Sequence, residues 1–80
     1  MNKHNDAEMF WSLSFGHNLQ QVLKHNDISQ GYLAKELGTT EAMISRYIHG
    51  ISVPSVYKVC QMASVIGCDV SDLIKSKFDG

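Results

Sequence analysis

The sequence has little of what would tie it to a sheet, a membrane or a disulfide framework. It has one proline, Pro54, in 80 residues, which leaves long stretches free to be helical. No apolar run approaches the roughly 20 residues of a membrane-spanning helix. At the amino end, Asn2, His4, Asn5, Asp6 and Glu8 stand where a secretion signal needs a cationic start and an apolar stretch. No leader and no membrane association are therefore expected, and the cytoplasm is the expected compartment. Two cysteines, Cys60 and Cys68, are too few for a disulfide scaffold and match no zinc spacing. Cys60 shares a helical face with Val56, Val59 and Ala63, which predicts a core thiol. Net charge is scarce too: seven Lys and Arg against eight Asp and Glu give −1. That excludes a histone-like wrapper and a polyanionic tail, but not a basic patch confined to one face. His4, His17, His25 and His49 contain no i, i+4 pair, and the serines lack a nucleophile motif. Metal, cofactor and catalysis are not expected. A chain this short buries only about 60% of its unfolded surface, enough for one core.

What is present is helical. No segment of five or more residues alternates strictly while being rich in β-branched or aromatic types, so strands are not predicted. Phe15, Leu19, Val22 and Leu23 recur at helical spacing, and Asn26-Asp27 stops that helix. Ser29 is a suitable N-cap for a helix carrying Leu33, Ala34 and Leu37, ended by Gly38. Thr40 caps a third, with Glu41 in its positive first turn and Ile44, Tyr47 and Ile48 on one face, closed by Gly50. After Pro54, Ser55 caps a fourth with the stripe Val56, Val59, Cys60, Ala63 and Ile66, ended by Gly67. Ser71 starts a short fifth piece with Leu73, Ile74 and Phe78. The fold expected is all-α: five compact helices over residues 14–76, a 1–13 extension and a 77–80 tail. Within the extension, Asp6 would cap an extra turn or two holding Met9, Phe10, Trp11 and Leu13. That cluster is apolar all round, so it forms either a lid over the core or a contact with a second subunit.

The informative stretch runs from Gln30 to His49. Two helices crossing steeply need a small residue at closest approach, a turn residue tolerating positive φ, and an apolar plug from the second helix. Ala34, Gly38 and Ile44 supply these at offsets of 4 and 6. Leu33, Leu37 and Tyr47 complete the inner face. This is the sequence form of a helix-turn-helix.

With Ser29-Gln30, Leu33-Ala34, Leu37-Gly38-Thr39-Thr40, Ile44-Ser45-Arg46, Gly50 and Pro54-Ser55 in place, the chain resembles the lambda-repressor-like family of Cro or XRE-type helix-turn-helix domains. The likeness continues through Gly67 to Val70, Asp72 and Leu73, covering about residues 15–74. It implies a five-helix domain that binds double-stranded operator DNA, usually as a homodimer, to control transcription. Phage repressors, small controller proteins and some antitoxins share the scaffold. Carried onto this chain, the resemblance puts Gln30 against the DNA backbone or an adenine edge, and Thr39 and Thr40 at phosphates or bases. It puts Glu41, Ala42 and Met43 in the first turn that enters the major groove, with Ser45 and Arg46 one turn on. Ser52 is left for the loop's phosphate contact, because Ile51 and Val53 replace the family's frequent basic and Asn residues. The dimer surface implied is Ile51, Val53, Val70, Ile74 and Phe78.

Each of these has a plainer reading. The Thr40 hydroxyl caps or contacts. Glu41 reads cytosine or merely suits the helix dipole, Met43 enters the groove or the core, and Arg46 meets DNA or a surface carboxylate. His49 is read as a helix C-terminal cap. Lys24, Lys35, Arg46 and Lys58 against Asp27, Glu36 and Glu41 leave the central region at about +1. Few phosphates can be neutralised per subunit, so DNA binding is expected to need two subunits or a protein partner. The alternative function is a protein-interaction module on the same fold, an antitoxin or co-regulator acting through that partner.

Overall fold

Left-handed backbone at Asp27, Gly38, Gly50 and Gly67 (φ 57, 68, 72 and 84°) decides where four helices stop. The computed structural model describes residues 3–76, with side chains from residue 7, and its elements are helices throughout. They are α1 (Lys3–His25), α2 (Gln30–Leu37), α3 (Glu41–Ile48), α4 (Val56–Ile66) and α5 (Val70–Ile74). Every turn after α1 to α4 closes alike: an amide two or three residues beyond the helix reaches back to the carbonyl five residues earlier. The pairs are Ile28 to Leu23, Thr39 to Ala34, Ile51 to Arg46 and Cys68 to Ala63, at 2.8–3.1 Å. Helix starts are fastened by hydroxyls. Ser29, Thr40 and Ser55 accept from the amides of Tyr32, Met43 and Lys58 at 3.0–3.1 Å. The fifth helix starts at Val70 after Asp69, ahead of the expected Ser71. The Asp72 carboxylate accepts from the Asp69 amide there.

The core joins Phe15, Leu19 and Leu23 of α1 to Leu33 and Ala34, to Ile44, Tyr47 and Ile48, to Val59, Met62, Ala63 and Ile66, and to Leu73. The first helix packs against α3 and α5, while α2 packs against α3 and α4. One expectation fails here. Val56 and Cys60 are exposed, and Met62 takes the inner position instead. Both stripes obey helical spacing, but the helix is turned so that Val59, Met62, Ala63 and Ile66 face the core. The other expectation revised is the amino end: α1 runs unbroken through residue 13, with Asp6 inside it and not at a cap. Phe78 lies outside the described residues. Among those described, no helix is long and apolar enough to cross a membrane.

Two features of α1 that periodicity does not reveal hold the other helices in place. Gly16 is buried, and a Cβ there would fall 2.1 Å from the Ile48 carbonyl oxygen and 2.7 Å from that of Tyr47. Only a hydrogen fits, so the last turn of α3 rests directly on the α1 backbone. On the opposite flank, the buried Asn18 side-chain amide donates to the carbonyls of Leu73 (2.9 Å) and Lys75 (2.6 Å), tying down the end of α5.

Gly16→Ala tests the first contact. Because its opponent is backbone, no rotamer change relieves the overlap, and we expect a loss of about 3 kcal/mol in urea unfolding, the upper end for overpacking. For a domain of this size that lowers Tm by roughly 12–24 °C. A variant melting within about 2 °C of the parent would show that α3 does not sit on Gly16.

Candidate nucleic-acid interface

The α2–α3 pair is built by local rules first. Gly38 lets α2 turn, its amide bonding back to Lys35 at 3.2 Å and that of Thr39 to Ala34 at 2.9 Å. Thr40 then starts α3 with its Oγ1 accepting from the Met43 amide, so the hydroxyl caps. From there the eight residues divide cleanly. Ile44, Tyr47 and Ile48 are buried, with Ile44 at 0% exposure beside a 3%-exposed Ala34 in the same core. Glu41, Ala42 and Arg46 are exposed, and Ser45 is half-buried between the two faces. Met43 is half-buried and packs on the core, so its side chain belongs partly to each reading.

Arg46 and Ser52, singled out separately in the sequence, are brought together. The Arg46 Nε donates to the Ser52 Oγ at 3.0 Å, and its carbonyl accepts from the amides of Ile51 (2.9 Å) and Ser52 (3.3 Å). One residue therefore pins the α3–α4 turn through both backbone and side chain, while the outer guanidinium nitrogens remain for a ligand. No carboxylate pairs with Arg46 among the described residues. His49 ends α3: its Nδ1 lies 2.8 Å from the Ser45 carbonyl and 3.2 Å from the Ser45 Oγ, the capping position expected.

Glu41 is folded back. Its carboxylate covers the open face of Gly31, where a built Cβ would stand 3.3 Å from both its Cδ and one of its oxygens. The charge sits at the first turn of α3 and over the first turn of α2, two positions that favour an anion. Gln30, the first residue of α2, is half-buried in a cleft of about 260 Å³ that Lys24, Ser29 and Ile48 also line. Lys24, which the sequence reading counted as charge but did not name as a contact, lines the same cleft as Gln30. Its place four residues before Ile28, at the end of α1, was the available signal. Thr39 is half-buried.

The expected dimer residues do not form one set. Ile51 and Val53 are exposed at 62% and 57%, and Ile74 is exposed on α5, but Val70 packs against the core. A wider groove of about 820 Å³ lies between α1 and the α4–α5 turn, lined by His17, His25, Cys68, Asp69 and Asp72. Burial, then the Asp72 and Asp69 carboxylates, push the Cys68 thiol up, which keeps it protonated and a poor metal ligand or nucleophile. Among the described residues, no three of His, Cys, Asp and Glu stand together as a metal site.

Comparison with known proteins agrees with this geometry. A family model described as helix-turn-helix matches residues 19–73. Among solved structures, the solution structure of the SOS-response transcriptional repressor LexA from Eubacterium rectale is similar, with a TM-score of 0.75 and 26% sequence identity. The likeness covers 88% of this chain and 74% of that one. None of the curated proteins matches.

The Thr40 cap generates a prediction separate from any ligand. Thr40→Ala is expected to cost about 1 kcal/mol in urea unfolding, and Thr40→Ser to recover most of it, because only the hydroxyl acceptor matters. Equal stability of all three proteins would mean that the Met43 amide is served by water.

Proposed function

The chain belongs to the Cro/XRE-type helix-turn-helix family of DNA-binding transcription regulators, and on that premise we propose that it is a repressor that reads operator DNA as a homodimer in the cytoplasm. The observation that carries this reading is the division of α3, whose outer face leaves Glu41, Ala42 and Arg46 exposed while its inner face is locked into the core. An eight-residue helix about 12 Å long, standing proud of the domain, fits a major groove of about the same width. That the similar solved structure is a transcriptional repressor supports blocking of polymerase as the outcome. Two such helices, one per subunit, would enter successive grooves about 34 Å apart.

Each contact follows from placement. Arg46, its Nε spent on Ser52, presents two nitrogens to guanine O6 and N7 or to a phosphate. Ala42 and the exposed part of Met43 meet a thymine methyl group, with Ser45 at the edge. Gln30 and Lys24 flank one cleft and receive a backbone phosphate, which Thr39 and the Ser52 hydroxyl supplement. The Glu41 carboxylate, already seated over α2, repels phosphate more than it reads a base. Its role is then to lower affinity for all DNA alike, leaving sequence choice to Arg46, Ala42 and Met43.

In-vitro selection of bound DNA should enrich a two-fold symmetric motif. Arg46→Ala and Gln30→Ala should each lose specific binding to that motif at least tenfold while keeping the helical fold, and unaltered affinity in both would remove these residues from the interface. Binding to the selected site should weaken with salt at a log–log slope near −5, if each subunit neutralises about three phosphates. Glu41→Gln should strengthen binding to specific and random duplexes by the same few-fold factor at low salt. A loss confined to one base position would instead make Glu41 a cytosine reader. Enrichment of no motif, with one protein retrieved in stoichiometric amount, would favour the interaction-module reading.

A further inference from the structure

The α3–α4 turn carries no cation, yet it holds the one cation of α3. Arg46 is the only arginine in the chain. Its side chain and its main chain end on the same residue. The Nε donates to the Ser52 Oγ at 3.0 Å, while the carbonyl accepts from the amides of Ser52 (3.3 Å) and Ile51 (2.9 Å). Arg46 is exposed, Ser52 is half-buried, and Pro54, two residues on, is buried. The serine is therefore the fixed end of the pair and the guanidinium the end that is steered.

The bond leaves a particular geometry. A guanidinium can grip two acceptors at once along its Nε–Nη edge or across its two Nη groups. Ser52 takes the Nε–H, so the end-on fork is what faces outward. That fork fits guanine, whose O6 and N7 both accept, and not adenine, whose N6 donor would oppose one of its N–H groups. Such a choice requires the fork to keep its plane. An unpinned guanidinium can swing to adenine N7 through a single bond, or to a phosphate. The hydroxyl also has a second use. Accepting from Arg46 occupies a lone pair and leaves its own hydrogen to donate.

We propose that Ser52 is a positioning residue that makes Arg46 a guanine reader: its Oγ holds the guanidinium end-on to the groove while its hydrogen goes to the adjoining phosphate. The two contacts act as one unit, because a hydroxyl that donates to a phosphate is a better acceptor for the Nε–H. The proposal rests on the DNA-binding reading and narrows it: Arg46 meets a base, and the phosphate falls to the serine.

With a single arginine, one Nε–H signal reports the contact by NMR in the free protein. Its exchange with water should be at least about fivefold faster in Ser52→Ala than in the parent or in Ser52→Thr, which keeps the hydroxyl. On the selected motif, a G·C pair in each half-site should be preferred over A·T by about tenfold or more. Ser52→Ala should cut that preference at least about threefold, and Ser52→Thr should restore it. Loss of a phosphate contact alone weakens both sites equally and leaves the ratio unmoved. In Arg46→Lys, which has no fork, the preference should vanish, and adding Ser52→Ala should change it no further. Equal exchange in the parent and Ser52→Ala, an undiminished preference in Ser52→Ala, or one that Arg46→Lys retains would overturn the assignment and leave DNA binding intact. A parent that selects no motif would defeat the DNA-binding reading itself, and this proposal with it.

Discussion

Helix α3 rests backbone-to-backbone on α1, where the carbonyls of Tyr47 and Ile48 occupy the space a side chain would need at Gly16. Direct support of this kind has no soft part. A side-chain layer between two helices shifts by rotamer changes, whereas a carbonyl against a Cα sets a distance that changes only if a helix moves. The exposed face of α3 therefore inherits the rigidity of a helix of 23 residues. From the other side Ala34, with only a methyl, lets α2 close against Ile44, which is wholly buried. Held between these two supports, a helix of eight residues, too short to persist alone in water, becomes a fixed projection.

The same short helix depends on its ends. Eight residues leave about half of their backbone donors and acceptors without intrahelical partners. At the start, the Thr40 hydroxyl and the nearby Glu41 charge meet the free amides. At the end, the amides of His49, Gly50 and Ile51 return to the carbonyls of Ser45, Tyr47 and Arg46. Arg46 joins that closure through its own side chain, at a consequence for recognition. With Nε held by Ser52, the guanidinium keeps fewer rotamers to lose on binding, which lowers the entropic cost of a bidentate contact. The α3–α4 turn, which here lacks the basic residues common in its relatives, thereby contributes by orienting the cation it does not itself carry.

Much of this was legible in the residues. Ser29, Thr40 and Ser55 act as caps because a hydroxyl before an apolar-periodic run has one local use, and Gly38 falls in the left-handed region that its place predicts. Ala34 and Ile44 could be paired because the crossing they serve lies within fifteen residues of chain. The failures share a cause, which is dependence on a distant partner. In α4, the stripe through Val56 and Cys60 and the stripe through Met62 both have helical period, and only the position of α2 selects between them. Gly16 in a helical pattern reads as a weak helix former until α3 is placed against it. Asn18 reads as a solvated amide until Leu73 and Lys75, more than fifty positions later, arrive over it. Lys24 was counted as charge but not as a contact, since its nearness to Gln30 is set by the α1–α2 turn at Asp27.

The distribution of charge links stability to DNA binding in a small domain of this kind. With about +1 over residues 24–58, one subunit neutralises too few phosphates for tight binding by the counterion term, and Glu41 reduces it further. On the proposed homodimer reading, affinity comes from joining two sites, and the gain depends on how rigidly they are joined. A paired copy raises the second site to an effective concentration of about millimolar, provided the spacing is right. The α3–α4 turn is well placed to fix that spacing. It follows the recognition helix without an intervening flexible segment, it is bonded to Arg46 at one end, and it lies along Leu13 of α1. Contact on its outer side would thus be transmitted to the helix that reads DNA through three residues of closed turn. Apolar side chains left in water on a marginal 80-residue core are a cost to the monomer.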